Sequence, residues 1–149
     1  MRVAVIALFV MVAAPATADE GCRSGRSDII ELAAWAAEPG SAGTVLALQF
    51  RSSTERPVRM IEGTVLFSDV LDRPIGEVEI DPDLHIGPVG EATQESNLPS
   101  LNRLAVARPE DIRASVCVAA VVYEDGTVDR FDTDEPTSLA DEVARLLNP

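Results

Sequence analysis

Lysine is missing from all 149 residues; the 12 basic side chains are Arg, set against 25 Asp and Glu for a formal net charge of −13. A lysine nucleophile or Schiff base is therefore excluded. The same balance disfavours nucleic acid, which draws on clustered cations, and anionic membrane surfaces, which draw on polybasic segments. Histidine occurs once, as His85, so a triad, a histidine metal site or a general base would have to run through it. Asp81, Asp83 and Ser68 could partner it but show no motif spacing, and His85 reads as a solvated loop residue between Leu84 and Ile86. Trp and Tyr occur once each, too few for the aromatic platforms that sugars stack on. Paired carboxylates for glycoside hydrolysis would also have to stand about 5–10 Å apart, which a sequence does not show. No C-x-x-C redox pair is present. The expectation is a chain without enzymatic activity and without a cofactor.

Long apolar runs are also scarce. The one from Val3 to Ala14 follows Arg2 and precedes Pro15 and the small residues Ala16-Thr17-Ala18. This is the n-region, h-region and cleavage site of a secretory signal peptide, well short of the roughly 20 residues needed to span a bilayer. A lipoprotein would need an aliphatic residue three places before Cys22, where Asp19 stands. Cleavage after Ala18 is expected, giving a single exported domain over 19–149 in the periplasm or outside the cell. Arg2 is lost and no acid, so the mature charge becomes −14. The mature chain keeps Met60 as its one methionine, which disfavours a periplasmic copper carrier.

Export changes the meaning of the two cysteines. An even count in an oxidising compartment points to a Cys22–Cys117 disulfide. It closes a loop of about 95 residues and contributes on the order of 4 kcal/mol in the chain-entropy account.

What is present is period-2 alternation between Thr44 and Phe131, the signature of half-buried strands. Leu46, Leu48 and Phe50 fall on one face of Thr44–Phe50, and Ile61, Val65 and Phe67 on one face of Arg59–Ser68. Gly63 interrupts that face and marks a bulge or a close backbone approach. Ile75–Asp81 alternates with Gly76, Val78 and Ile80 inward. Arg113–Tyr123 is apolar on both faces and reads as a central strand covered twice, with Cys117 on the face of Ser115, Ala119 and Val121. Cys22 would then pin the N-terminal segment across that face. Asp125-Gly126 supplies a hairpin turn into Val128–Phe131. Glu91–Asn97 is polar and reads as an edge strand or loop, and Leu101–Val106 as a helical turn. Asp28–Trp35 has both helical and alternating spacing (Ile30, Leu32, Ala34); we assign it to the first strand, with Trp35 in the core. Breakers every 10–20 residues suit an antiparallel sandwich. Leu139, Val143, Leu146 and Leu147 then fall at i, i+4, i+7 and i+8 behind Ser138 and Asp141, an amphipathic helix over about 138–147 whose stripe could meet a partner.

The expected fold is all-β and mainly antiparallel, with a short C-terminal helix. Its strand pattern resembles the immunoglobulin-like β-sandwich modules of exported bacterial proteins, especially the FxLYD type. The resemblance covers roughly Asp28–Phe131 and is carried by Leu46–Thr54, by Val65-Leu-Phe-Ser-Asp69 in place of the name-giving run, and by Leu84–Gly90. It implies a binding or structural module without a shared active site. The run Arg108-Pro-Glu-Asp111 ahead of Cys117, and the spacing of Cys22 to Trp35, also match antibody-type domains. The tyrosine corner of those domains is absent, because Ser115 stands where its tyrosine should be, and we read that spacing as coincidence.

Carboxylates cluster at Asp81 and Asp83, at Asp69 and Asp72, and at Asp129, Asp132, Asp134 and Glu135. Ca²⁺ wants six to eight oxygen ligands, and no Asp-x-Asp-x-Asp-Gly loop is present. These groups, with Asp81, Asp83, Asp132 and Asp134 the nearest to a metal set, read as solvated surface. Three function classes follow: an exported module binding an unknown protein partner, an acidic inhibitor or carrier of a basic protein, and a small enzyme or Ca²⁺ protein.

Overall fold

The computed structural model describes Cys22 and residues 28–131. The expected signal peptide and C-terminal helix (Leu139, Val143, Leu146, Leu147), together with Asp132, Asp134 and Glu135, lie outside the described residues.

Seven strands form two antiparallel sheets. The first holds β1 (Ile30–Gly40), β2 (Gly43–Ser52) and β5 (Glu91–Leu98) in the order β1-β2-β5. The second holds β3 (Val58–Asp69), β4 (Pro74–Glu79), β6 (Ile112–Tyr123) and β7 (Val128–Arg130) in the order β4-β3-β6-β7. This is an immunoglobulin-like sandwich arrangement. β4 pairs with β3, whereas the constant-type domain places its fourth strand in the sheet of the first two. One short helix, α1 (Asn102–Val106), and a 3₁₀ turn over Pro109–Asp111 carry the chain from one sheet to the other.

The core follows the alternation. Leu46, Leu48 and Phe50 of β2 face Ile61, Val65 and Phe67 of β3 across the sandwich, all within 2% of complete burial. Each such side chain contributes about 1.5–3 kcal/mol by leaving water. Trp35 packs edge-on against Phe67, ring centroids 5.4 Å apart, so it belongs to the core margin as expected. Glu91–Leu98 is indeed an edge strand, and Leu101 and Leu104 tuck the helical turn under one end of the sandwich.

Two bulges overturn simple period-2 readings. On β1 the register shifts between Leu32 and Ala34, so Ala33 is the extra residue. Ile30, Leu32, Trp35 and Ala37 face inward as a result, and Ala34 faces outward beside Gln49. On β6 the shift lies opposite Glu62 and Gly63, with Ala119 as the extra residue. Val118 and Val121, three apart, are therefore both fully buried.

Cys117 pairs with Thr64 and shares its outward face with Ser115, not with Val121. The disulfide to Cys22 has formed, but it lies outside the sandwich and is unrelated to the antibody-type bridge between sheets. Coverage of the outer face is likewise partial. Cys117 and Ala120 are buried there, whereas Met60, Val122 and Val128, aligned across three strands, are half-buried or exposed.

Gly63 does mark a close approach. A Cβ at that position would stand 2.6 Å from the Cys117 carbonyl oxygen and 3.2 Å from Val118 Cα.

Candidate functional site

Three connections meet at one end of the sandwich: the β2–β3 loop (53–57), the β4–β5 loop (80–90) and the β6–β7 hairpin (124–127). Backbone hydrogen bonds fuse them. Val58 and Ile86 exchange both of theirs, at 2.8 and 3.0 Å, the Ser52 N–H reaches the Gly90 carbonyl, and the Glu124 N–H reaches the Pro57 carbonyl. The hairpin turns through Glu124-Asp125-Gly126, with Gly126 at φ 83° and Tyr123 and Thr127 bonded across it. A single positive φ at glycine fits a three-residue loop.

Val89 stands on this platform at φ 46°, a left-handed conformation that a β-branched side chain rarely holds. Its N–H donates to the Thr54 carbonyl at 2.8 Å, and the neighbouring Gly90 N–H donates to the Gly87 carbonyl. The loop is held while the side chain stays 63% exposed.

The three loops carry Glu55, Asp81, Asp83, Glu124 and Asp125, with Arg56 on the β2–β3 loop and Arg59 at the start of β3. Arg56 is already engaged. Its guanidinium lies 3.5 Å from the centroid of the Tyr123 ring, pairs with Asp125 at 3.5 Å and Asp129 at 3.6 Å, and donates to the Thr127 hydroxyl. The Tyr123 hydroxyl donates to Asp129 at 2.8 Å. Burial, then this bond to a carboxylate, pushes the Tyr123 phenol up to about 12. Hydrogen bonds from the side chain and backbone of Thr127 hold the Asp125 carboxyl below its ordinary value.

His85 is exposed, as expected of a loop residue, and its Nδ1 lies 3.2 Å from Glu124 Oε1. Ser68 is ten residues along β3 from the Val58–Ile86 bridge, about 33 Å at the rise of an extended strand. The two do not meet. Asp81 turns onto its own loop, where its Oδ1 accepts the Asp83 N–H at 3.0 Å, while the Asp81 N–H donates to Gln94 Oε1 on β5. Among the described residues no three His, Cys, Asp or Glu side chains are grouped as a metal would require.

Asp69 does a different job at the opposite end. Burial alone would raise its carboxyl. The N–H groups of Arg73 and Leu71 and the guanidiniums of Arg103 and Arg73 outweigh that and hold it at about 2. Its Oδ2 accepts from Arg73 Nε at 2.8 Å and Arg103 Nη2 at 2.9 Å, tying the β3–β4 turn to α1. Its neighbour Asp72 pairs instead with Arg113.

Sequence reading missed Val89 and the Arg56–Tyr123–Asp129 stack. A lone tyrosine at the end of an apolar strand was the available signal for the stack; nothing local marks the positive φ of Val89. No helix among the described residues is long and apolar enough to cross a membrane. No family model, curated protein or solved structure matches the chain.

Proposed function

We propose that the chain is an exported, non-catalytic immunoglobulin-like module of the FxLYD kind, which holds a protein partner at the end formed by its three fused loops. The observation that carries this reading is Val89, an apolar side chain held exposed, at the cost of backbone strain, on a hydrogen-bonded platform. Strain of this kind persists where the surroundings over-determine it and clusters at ligand clamps. The expected signal peptide and the disulfide both suit an oxidising compartment.

The rim of the site favours a basic partner. The loops carry five carboxylates and one arginine, Arg56, which is already paired twice, with Arg59 the next cation at the start of β3. Complementary charge of this sort speeds association and weakens with salt.

A photo-crosslinking residue at position 89, set against one at exposed Glu77 on β4 as control, tests the reading in the living cell. An adduct with a protein partner is expected from position 89 only, and equal adducts from both positions would refute it. Val89→Gly is a second check. Relief of the left-handed strain should raise stability by up to about 1 kcal/mol in thermal melts while adduct yield falls. A variant that is both less stable and equally able to bind would show that Val89 is only a structural turn residue.

A further inference from the structure

We propose that the free edge of β1 is a strand-addition site for a partner segment with apolar residues at alternate positions and a basic residue at each end. This does not rest on the loop-end reading. β1 is 11 residues long, closes the three-stranded sheet, and has β2 as its only strand partner among the described residues. Natural edges are usually guarded by shortness, lysine, proline or a bulge, and of these β1 carries, away from the hairpin, only the bulge at Ala33. β1 has no basic residue, and its one proline, Pro39, sits beside the hairpin.

The sandwich is also lopsided, three strands against four. β1 lies across from β6, so the position beyond β1 lies across from β7. Asp129 of β7 shares the inward face of Val121, Phe131 follows it against the core, and both are only half-buried. A strand added beside β1 completes a fourth position in its sheet, and its inward, apolar residues cover Phe131, while the Asp129 carboxylate keeps its Arg56 and Tyr123 partners.

Its outward residues are set by charge. The bulge at Ala33 brings Glu31 and Glu38 to one face although they are seven apart in sequence, with Ala34 and Ala36 between them. An unbulged strand opposite them therefore presents four outward positions over seven residues, and the first and last meet carboxylates. Glu31 shares Arg51 with Glu91, while Glu38 has no ion pair among the described residues. Main-chain hydrogen bonds would supply affinity and these alternate positions specificity. A second copy is the poorer occupant. Self-pairing along the whole strand, centred on Trp35, sets Glu31 of each copy against Glu38 of the other, and directly opposed like charges are destabilising.

The probe is the synthetic peptide Arg-Val-Thr-Val-Thr-Val-Arg, compared with its Glu-ended counterpart, titrated into the isotope-labelled full chain at low salt. The basic peptide should slow exchange at alternate β1 amides and shift the emission of Trp35, the only tryptophan. It should bind on the order of tenfold more tightly than the acidic one, as two opposed charge pairs allow. Glu38→Lys should narrow or reverse that preference, and Glu38→Gln, which changes less, should do half as much. The proposal is overturned if the peptides bind equally, if neither binds at millimolar concentration, or if the shifts fall on the loops. It is equally overturned if the β1 amides are protected before peptide is added, because another part of the chain or a second copy then covers the edge.

Discussion

Asp69 shows what one carboxylate can hold. Four donors converge on it, from the β3–β4 turn and from α1. Its folded-state value is depressed to about 2 from 3.8. The stability it supplies is therefore fully present above pH 3.8 and is lost as the pH falls through about 2. Acid melts should show wild type losing stability across that window and Asp69→Asn starting lower and changing less there. A parallel acid profile for the two proteins would contradict the assignment. Tyr123 works in the opposite direction. Its raised phenol favours the folded state fully below pH 10 and loses that contribution as pH rises through about 12. Because it is the only tyrosine, its phenolate absorbance can be followed without assignment. A midpoint near the ordinary 10 would show that the hydroxyl is not held by Asp129.

At the scale of the element, strand identity was legible and strand facing was not. Alternation named the buried residues of β2, of β3 from Ile61 onward and of β4 from Gly76 onward, because the register shifts of β3 at Arg59 and of β4 at Ile75 fall outside those runs. β1 and β6 each insert one residue, and every side chain beyond the insertion changes face. Reading Cys117 onto the face of Val121, or Ala34 onto the face of Leu32, fails for that reason alone. Gly63 was the one visible trace of the β6 bulge. Gly63→Ala should cost about 1–3 kcal/mol in chemical denaturation, the usual penalty for overpacking, since its Cβ would meet backbone at Cys117 and Val118 as well as the buried Ile80 side chain. A neutral substitution would mean that the two strands can separate locally at no cost.

For the molecule as a whole, the disulfide is the longest-range constraint among the described residues, joining residues 95 apart and anchoring Cys22 to the outer face of the four-stranded sheet. The double variant Cys22→Ala/Cys117→Ala should lose at most about 4–5 kcal/mol, the loop-closure figure for such a separation. Because the bridge lies outside the core, the inward-facing packing should survive, and near-ultraviolet dichroism of Trp35 should stay close to that of wild type. Loss of that signal under conditions where the chain is still folded would show that the bridge also shapes the sandwich.

The fold class, the pairing of the two cysteines and the helical turn at Leu101–Val106 are legible along the chain, whereas Glu91–Asn97 is open between edge strand and loop until the sheet order places it. Each of the first three depends on local alternation, on breakers, or on the count of a rare residue. Folding in three dimensions sets which way Cys117 and Ala34 point, that Arg56 lies over Tyr123, that Val89 is held exposed at a positive φ, and that His85 and Ser68 stand far apart. Those facts rest on register between distant strands and on loops that meet only after the sheets have stacked. No spacing along a single chain encodes them.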